Sequence, residues 1–213
     1  MKNNTKYIIV LVGALSLIAL SALALSGSQD SNKLANTPSQ DSTKLVNNDK
    51  PLYCEASASL VALDDEELSN NSDTIIIGTV KEILPSKWST TDGKKPVNTD
   101  RFSPSCFIYT DIIISVDEYI KNSSSSKDVT VRVWGGTVGD DTFKVSEEPR
   151  LKIGEKVLLY LTKDTGPSTK DIGPEHYRVT GALQGKFTLT DDGKAIRSDK
   201  TVSQEELLST IKE

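Results

Sequence analysis

The sequence predicts a mainly β protein, a small barrel of six or seven short strands with a short helix before them and another at the end. Three observations carry that expectation. Segments rich in valine, isoleucine and threonine recur between Thr74 and Thr190, many of them alternating apolar with polar residues. Glycine, serine and aspartate turns separate them. Helical patterning occurs only on either side of that region, at Cys54–Asp73 and at Thr201–Glu213.

The chain opens with MKNNTKYIIVLVGALSLIALSALALSGS, in which Lys2 and Lys6 precede an uncharged apolar run from Tyr7 to Leu25. A positive start, an apolar core and small residues at Ala24 and Ser26 read as an export signal. The run is also almost long enough to span a bilayer, so residues 1–26 are a signal peptide or a membrane anchor. Residues 27–50 are polar, poor in aromatics and without hydrophobic period, which reads as a flexible linker. QDSNKLAN at Gln29–Asn36 returns as QDSTKLVN at Gln40–Asn47, a local duplication too short to build a repeat fold. The folded domain is expected over 51–213.

Within it, CEASASLVALDDEELSNNSD predicts a short helix with Leu60, Leu63 and Leu68 on one face. Its acidic run Asp64–Glu67 lacks the loop spacing of a calcium site and reads as a solvated face. TIIIGTVKEIL (Thr74–Leu84) is a strand bent at Gly78. Residues 85–105 read as a long loop. FIYTDIIISVDEYI (Phe107–Ile120) alternates, with Ile112, Ile114 and Val116 inward and Asp111, Ser115 and Asp117 outward. After the NSSSS turn, Val129, Val131 and Val133 repeat the inward pattern. TFKVS (Thr142–Ser146) is a further strand. KVLLYLT (Lys156–Thr162) is continuously apolar, as a central strand would be. YRVTGAL and KFTLT are two more, with Gly181 expected to bend the first, and Asp192-Gly193 marks a hairpin. Finally, Ser203 and Glu206 form a capping box, with Val202 placed to staple onto Leu207.

VWGGTVGDD (Val133–Asp141) resembles a phosphate loop at first sight. A phosphate loop needs a following helix to supply its N-terminus, and a Lys-Ser/Thr pair after its last glycine. Here a strand follows, and Asp140 and Asp141 stand where they would repel phosphate. Adjacent strand residues point to opposite faces, so the two carboxylates do not converge on a metal either. The stretch is read as a glycine-rich connection between strands.

The chain has 213 residues and one histidine, which weakens most histidine-based mechanisms and zinc sites. His176, in GPEHYRV, reads as a surface or turn residue. No nucleophile-elbow motif is present. No catalytic residue, metal ligand or cofactor is assigned, and the protein is not expected to be an enzyme. Without residues 1–26 the basic residues number 23 against 30 acids, moving the net charge from −5 to −7. An acidic exported domain is a poor partner for nucleic acid. Cys54 and Cys106 are the only cysteines, and in an exported protein they are expected to pair; closing a loop of about fifty residues would contribute roughly 4 kcal/mol. Trp88, in a polar loop, and Trp134, opposite the inward valines, are the candidate ligand surface. Asn70 (NNS) and Asn122 (NSS) are candidate glycosylation acceptors.

SDTIIIGTVKEI, FIYTDIIISVDEYIK, VRVWGGTVGDDTFKVSEEPRLKIGEKVLLYL and YRVTGALQGKFTL together resemble a family of exported prokaryotic proteins, many from methanogenic archaea. The resemblance covers roughly the last two thirds of the chain, from about Ser72. It implies export and a β-domain and brings no catalytic residues. More distantly the pattern is similar to the netrin-like form of the oligonucleotide/oligosaccharide-binding (OB) barrel found in tissue inhibitors of metalloproteinases. There a disulfide-bonded N-terminal cysteine presents its amine to the protease zinc. Cys54, with Cys106 as partner, is the counterpart that this resemblance implies. This chain lacks the second cysteine two residues on and carries residues 27–53 in front of Cys54. The function expected is a non-catalytic barrel module at the cell surface or outside the cell, binding an unknown protein partner or surface glycan. Its only membrane contact is through the N-terminal segment. Protease inhibition and a structural role in the envelope are the alternatives.

Overall fold

Five strands close on one another because one of them, Lys156–Lys163, is apolar on both faces and is paired along both edges. The computed structural model describes residues 51–96, 107–166 and 169–211. In chain order its elements are β1 (Tyr53–Ala56), α1 (Asp65–Asn70), β2 (Thr74–Ile83), β3 (Lys87–Trp88) and β4 (Ile108–Lys121). Next come β5 (Asp128–Trp134), β6 (Gly136–Val138), β7 (Asp141–Val145), β8 (Lys156–Lys163) and β9 (Tyr177–Val179). The chain closes with β10 (Lys186–Leu189), β11 (Lys194–Arg197), β12 (Lys200–Ser203) and α2 (Gln204–Ile211). Residues 1–26, expected to be a signal or anchor segment, and 27–50, expected to be a linker, lie outside the described residues. No helix among the described residues is long and apolar enough to cross a membrane.

The ring runs β8, β2, β4, β5, β9 and back to β8. All neighbours are antiparallel except β5 and β9, which meet in parallel at Val131 and Tyr177. The result is a closed five-strand barrel of the OB-like kind, as expected. Its interior is filled by Ile76, Val80, Ile112, Ile114, Val129, Val131, Val157, Leu159, Leu161 and Val179. Gly78 sits at a register shift between β2 and β4, so the expected bend is present.

Outside β2 and β8 the alternate residues Ile75, Ile77, Leu158 and Tyr160 form a second apolar cluster with Leu68, Phe187 and Leu207. The β10–β11–β12 extension and both helices supply its other side. Asp64 and Glu67 cap α1 reciprocally, and the Ser203 hydroxyl accepts from the Glu206 amide at the start of α2. A third cluster of Trp88, Ile108 and Phe143 lies beside a small separate sheet, β1–β7–β6.

Three local expectations are corrected. Cys54 lies in β1, a strand parallel to β7, and not in a helix; α1 begins only at Asp65. Leu60 lies outside α1 and is 40% exposed, because the segment before the helix is held extended by Gln184, which bonds to Val61 and Leu63. Gly181 is not a bend within a strand: β9 ends at Val179 and Gly181 starts the 3-10 turn Ala182–Gly185. Asp111 does face away from the barrel interior, as read, and is buried there.

The GGTVGDD stretch is a strand connection, as read from the sequence. β6 and β7 pair around a Gly139-Asp140 turn. Gly136 has φ of 137°, and a Cβ there would stand 2.1 Å from the Ser86 hydroxyl, so only glycine fits. Asp141 accepts from the Leu52 amide at 2.8 Å and pairs with Lys95 at 2.9 Å, tying β1 to the barrel end. These bonds outweigh its burial and hold its carboxyl below the usual range.

Candidate functional site

The outer face of β4 and β5 is where this barrel gathers charge and aromatic rings. Register places Tyr109 opposite Trp134 and Asp111 opposite Arg132. The same alternation that sends Ile112 and Val131 inward sends these four outward. On the neighbouring β9, Val179 points into the barrel and Arg178 joins the outer face, its guanidinium 5.5 Å from the Trp134 ring.

Although outward, this face is buried: Tyr109 is 3% exposed, Asp111 4% and Arg132 2%. Arg132 makes a two-pronged ion pair with Asp111, Nε to Oδ1 at 2.7 Å and Nη2 to Oδ2 at 2.9 Å. Its plane lies 3.7 Å from the centre of the Tyr109 ring. Its remaining nitrogen, Nη1, donates to the carbonyl of Ile172 at 2.7 Å. Burial pushes the Tyr109 hydroxyl above its ordinary pKa, with Arg132 opposing.

The cover is the connection between β8 and β9, of which Thr169–His176 lies against this face through Ile172 and Gly173. Gly173 has φ of 75°, and a Cβ there would come within 2.8 Å of Arg132 Nη2. The connection is closed at its neck by His176. That ring is 3% exposed; Nδ1 lies 2.8 Å from the Pro174 carbonyl and Nε2 lies 2.9 Å from Asp164 Oδ2. The expected surface histidine is thus a buried one, because the neck folds back on itself. Burial acts against charge on Asp164, but hydrogen bonds from Thr169, Gly166 and His176 prevail and lower its pKa. Lys163 and Glu175 pair just outside at 3.0 Å.

At the rim, Glu148 meets Arg178 at 3.6 Å and accepts from the Trp134 amide; burial outweighs both and pushes its carboxyl up. Trp134 is half-buried, edge-on to Phe107 at 5.7 Å.

The sequence-predicted residues are only partly brought together. Trp134 belongs to this face. Trp88 does not form an exposed surface: it is 1% exposed, in the cluster with Ile108 and Phe143, because β1 and β7 supply an apolar wall that its own polar loop does not announce. Cys54 is half-buried beside that cluster, while Cys106 lies outside the described residues. Asn70 and Asn122 are both exposed, and the Asn122 amide donates to the Asp73 carbonyl at 2.7 Å. Sequence reading missed Tyr109, Asp111, Arg132, Asp164 and Arg178. The available signal was a single arginine in VTVRVW and a single aspartate in IYTDIII, opposite charges in two otherwise apolar strands.

Among the described residues no group of three or more histidine, cysteine or acidic side chains is placed to hold a metal. Compared with known proteins, the chain matches no family model and no curated relative.

Proposed function

We propose that the protein is an exported, non-catalytic barrel module, secreted or held at the cell surface, that captures a protein or glycan partner on the outer face of β4–β5. The observation that carries this reading is the coincidence of place and chemistry. In OB-like barrels the outer face of the second and third strands, flanked by the loops after strands one and four, is where ligands dock. Here those strands are β4 and β5, and that face carries Tyr109, Trp134, Arg132 and Arg178. Aromatic rings and arginines are the side chains that dominate recognition surfaces. The non-catalytic part is supported by His176, whose two ring nitrogens are both engaged by neighbours.

The Cys54–Cys106 bridge belongs to the same reading. It is supported by the sequence alone, in which these are the two cysteines of a chain read as exported. Intact mass with and without reduction tests it, since a bridge adds two hydrogens on reduction; the same spectrum locates the mature start. Binding is tested on an array of neutral and uronic-acid oligosaccharides, with cross-linking to native envelope proteins in parallel. Trp134→Ala is expected to keep the β8 core and to lose capture. Full capture by a folded Trp134→Ala variant removes the β4–β5 face from the account.

A further inference from the structure

The folded domain carries two Asn-x-Ser triplets, Asn70-Asn71-Ser72 and Asn122-Ser123-Ser124, the spacing read in oligosaccharide transfer to asparagine. The donor is bulky and the enzyme must take hold of the whole triplet, so exposure of the asparagine alone does not make an acceptor. The two triplets differ in this respect. Asn70 is exposed, but it is the last residue of α1 and the residues after it are fastened. The Asn71 amide closes the helix onto the Glu67 and Ser69 carbonyls, and the Asn71 carbonyl accepts from the Thr162 hydroxyl of β8 at 3.0 Å. Ser72 is 4% exposed. Its hydroxyl bonds to the Leu68 carbonyl at 2.7 Å and lies 2.9 Å from the Thr180 hydroxyl. Lys121 Nζ of β4 clamps the Ser69 and Ser72 carbonyls at 2.7 and 2.8 Å. To enter an enzyme, this triplet must first come away from β4 and β8.

The second triplet opens the connection between β4 and β5, in which every residue from Asn122 to Lys127 is exposed. Asn122 has φ of 52°, a left-handed conformation that asparagine adopts more readily than other side chains. Its Nδ2 donates one hydrogen to the Asp73 carbonyl at 2.7 Å, and an amide nitrogen has two. The Ser124 hydroxyl accepts from the Ser126 amide at 3.2 Å, a role that leaves its own hydrogen to donate. The connection is tied at its ends, through Asn122 to Asp73 and Thr74 and through Ser126 to Tyr119. We propose that Asn122 is an N-glycan acceptor on the folded protein, and that Asn70 accepts sugar only before α1 has docked. The inference goes beyond the binding face and shares with it only the reading of the chain as exported. In the transfer a bond forms between Asn122 Nδ2 and C1 of a lipid-diphosphate-linked oligosaccharide. The C1–O bond to the diphosphate breaks, the lipid diphosphate leaves with that electron pair, and one Nδ2 proton passes to a base of the transferase. β4 runs from Ile108 to Lys121, so the sugar stands at the opposite end of that strand from Tyr109.

The experiment gives the full chain, purified without sugar, to a transferase that reads Asn-x-Ser/Thr, with a lipid-diphosphate-linked oligosaccharide as donor. Occupancy of each asparagine is read by peptide mass spectrometry. Synthetic Leu68–Thr74 and Ile120–Lys127 serve as unfolded references, and both are expected to be modified. In the folded chain, occupancy of Asn122 is expected to exceed that of Asn70 about tenfold or more, because Ser72 is reached only by local unfolding. Ser124→Ala is expected to abolish transfer to Asn122 and Ser124→Thr to keep it, which ties the result to the hydroxyl and not to the shape of the connection. Amide exchange in Leu158–Leu161 reports an intact barrel in each variant. A folded chain refused at Asn122 overturns the proposal, and so does one modified equally at both positions. Refusal of the Ile120–Lys127 peptide overturns it as well, since the triplet is then no acceptor. Because the transfer is run on purified protein, its failure is distinct from a failure of the export reading, which fractionation of the producing cells measures by itself.

Discussion

The barrel has two covered outer faces, and they are sealed by opposite chemistry. Outside β2 and β8 the seal is apolar: Ile75, Ile77, Leu158, Tyr160, Leu68, Phe187 and Leu207 interlock beneath two helices and the β10–β12 extension. Outside β4 and β5 the seal is an ion pair, an arginine on a tyrosine ring, and a segment joined to the arginine by a single carbonyl. Apolar packing has no protonation state and no partner that water can replace one for one. The polar seal has both. The comparison teaches that burial alone does not distinguish a permanent core from a surface kept closed; the chemistry of the contacts does.

The largest effect expected on the polar side is from Asp111→Ala. It leaves the Arg132 guanidinium, 2% exposed in its side chain, without a counter-charge. Removing one partner of a buried pair costs about 3–5 kcal/mol. On the apolar side Leu158→Ala removes a fully buried side chain and costs about 2–5 kcal/mol. The single variants thus look alike in urea denaturation, and the double replacements separate the faces. Asp111→Leu with Arg132→Met is expected to recover most of the loss, since a buried ion pair is readily replaced by apolar groups. A double variant as unstable as Asp111→Ala means that the pair is a structural requirement comparable to the core.

Much of the apolar half was legible in the sequence, and the polar half was not, for a physical reason. Strand alternation is local: Ile112, Ile114, Val129 and Val131 announce an inward face whatever surrounds them. The same pattern says only that Asp111 and Arg132 point away from the barrel interior. Whether water or protein meets them depends on Ile172 and Gly173, far along the chain. Trp88 failed for the same cause, since its wall is built by β1 and β7. β1 itself is four residues whose pairing partner lies in β7, so no local period betrays it. The Asp192-Gly193 hairpin was readable because its demand is met within its own turn, and Gly78 because a glycine inside a strand pattern marks a bulge whichever strand it faces.

The two faces are also expected to fail at opposite ends of the pH scale. Asp164, with its pKa lowered, contributes stability that is fully present above the unfolded-state value. That contribution is lost as pH falls through the lower folded value. Tyr160 on the apolar side has its pKa raised by burial, with the Asp65 charge adding to it. Its contribution is present below the unfolded value and is lost as pH rises toward the folded one. Acid should therefore expose the segment Thr169–His176 first, and strong alkali the Tyr160 cluster, read by amide exchange at the two ends. Tyr160 offers a smaller effect at neutral pH. Its hydroxyl is buried without a hydrogen-bond partner, as is Asp65 Oδ1. Tyr160→Phe removes an unsatisfied group and leaves the ring in place, so a gain of up to about 1 kcal/mol is expected by thermal unfolding. A loss of that size instead reveals an ordered water joining the two atoms.

The smallest effect is expected where neither seal reaches. Lys81 and Asp128 pair at 2.6 Å with side chains 54% and 40% exposed. An exposed pair of this kind is worth about 0–1 kcal/mol, because water solvates both charges when they part and ordering two flexible side chains opposes the attraction. Lys81→Ala should change stability by less than about 0.5 kcal/mol, and salt should erase even that. Asp111 and Arg132 carry the same two charges at nearly the same separation, and salt should leave their contribution largely intact. If Lys81→Ala costs as much as Asp111→Ala in the same salt titration, the difference between the pairs does not lie in burial. The segment Thr169–His176 would then not be what gives the polar face its strength.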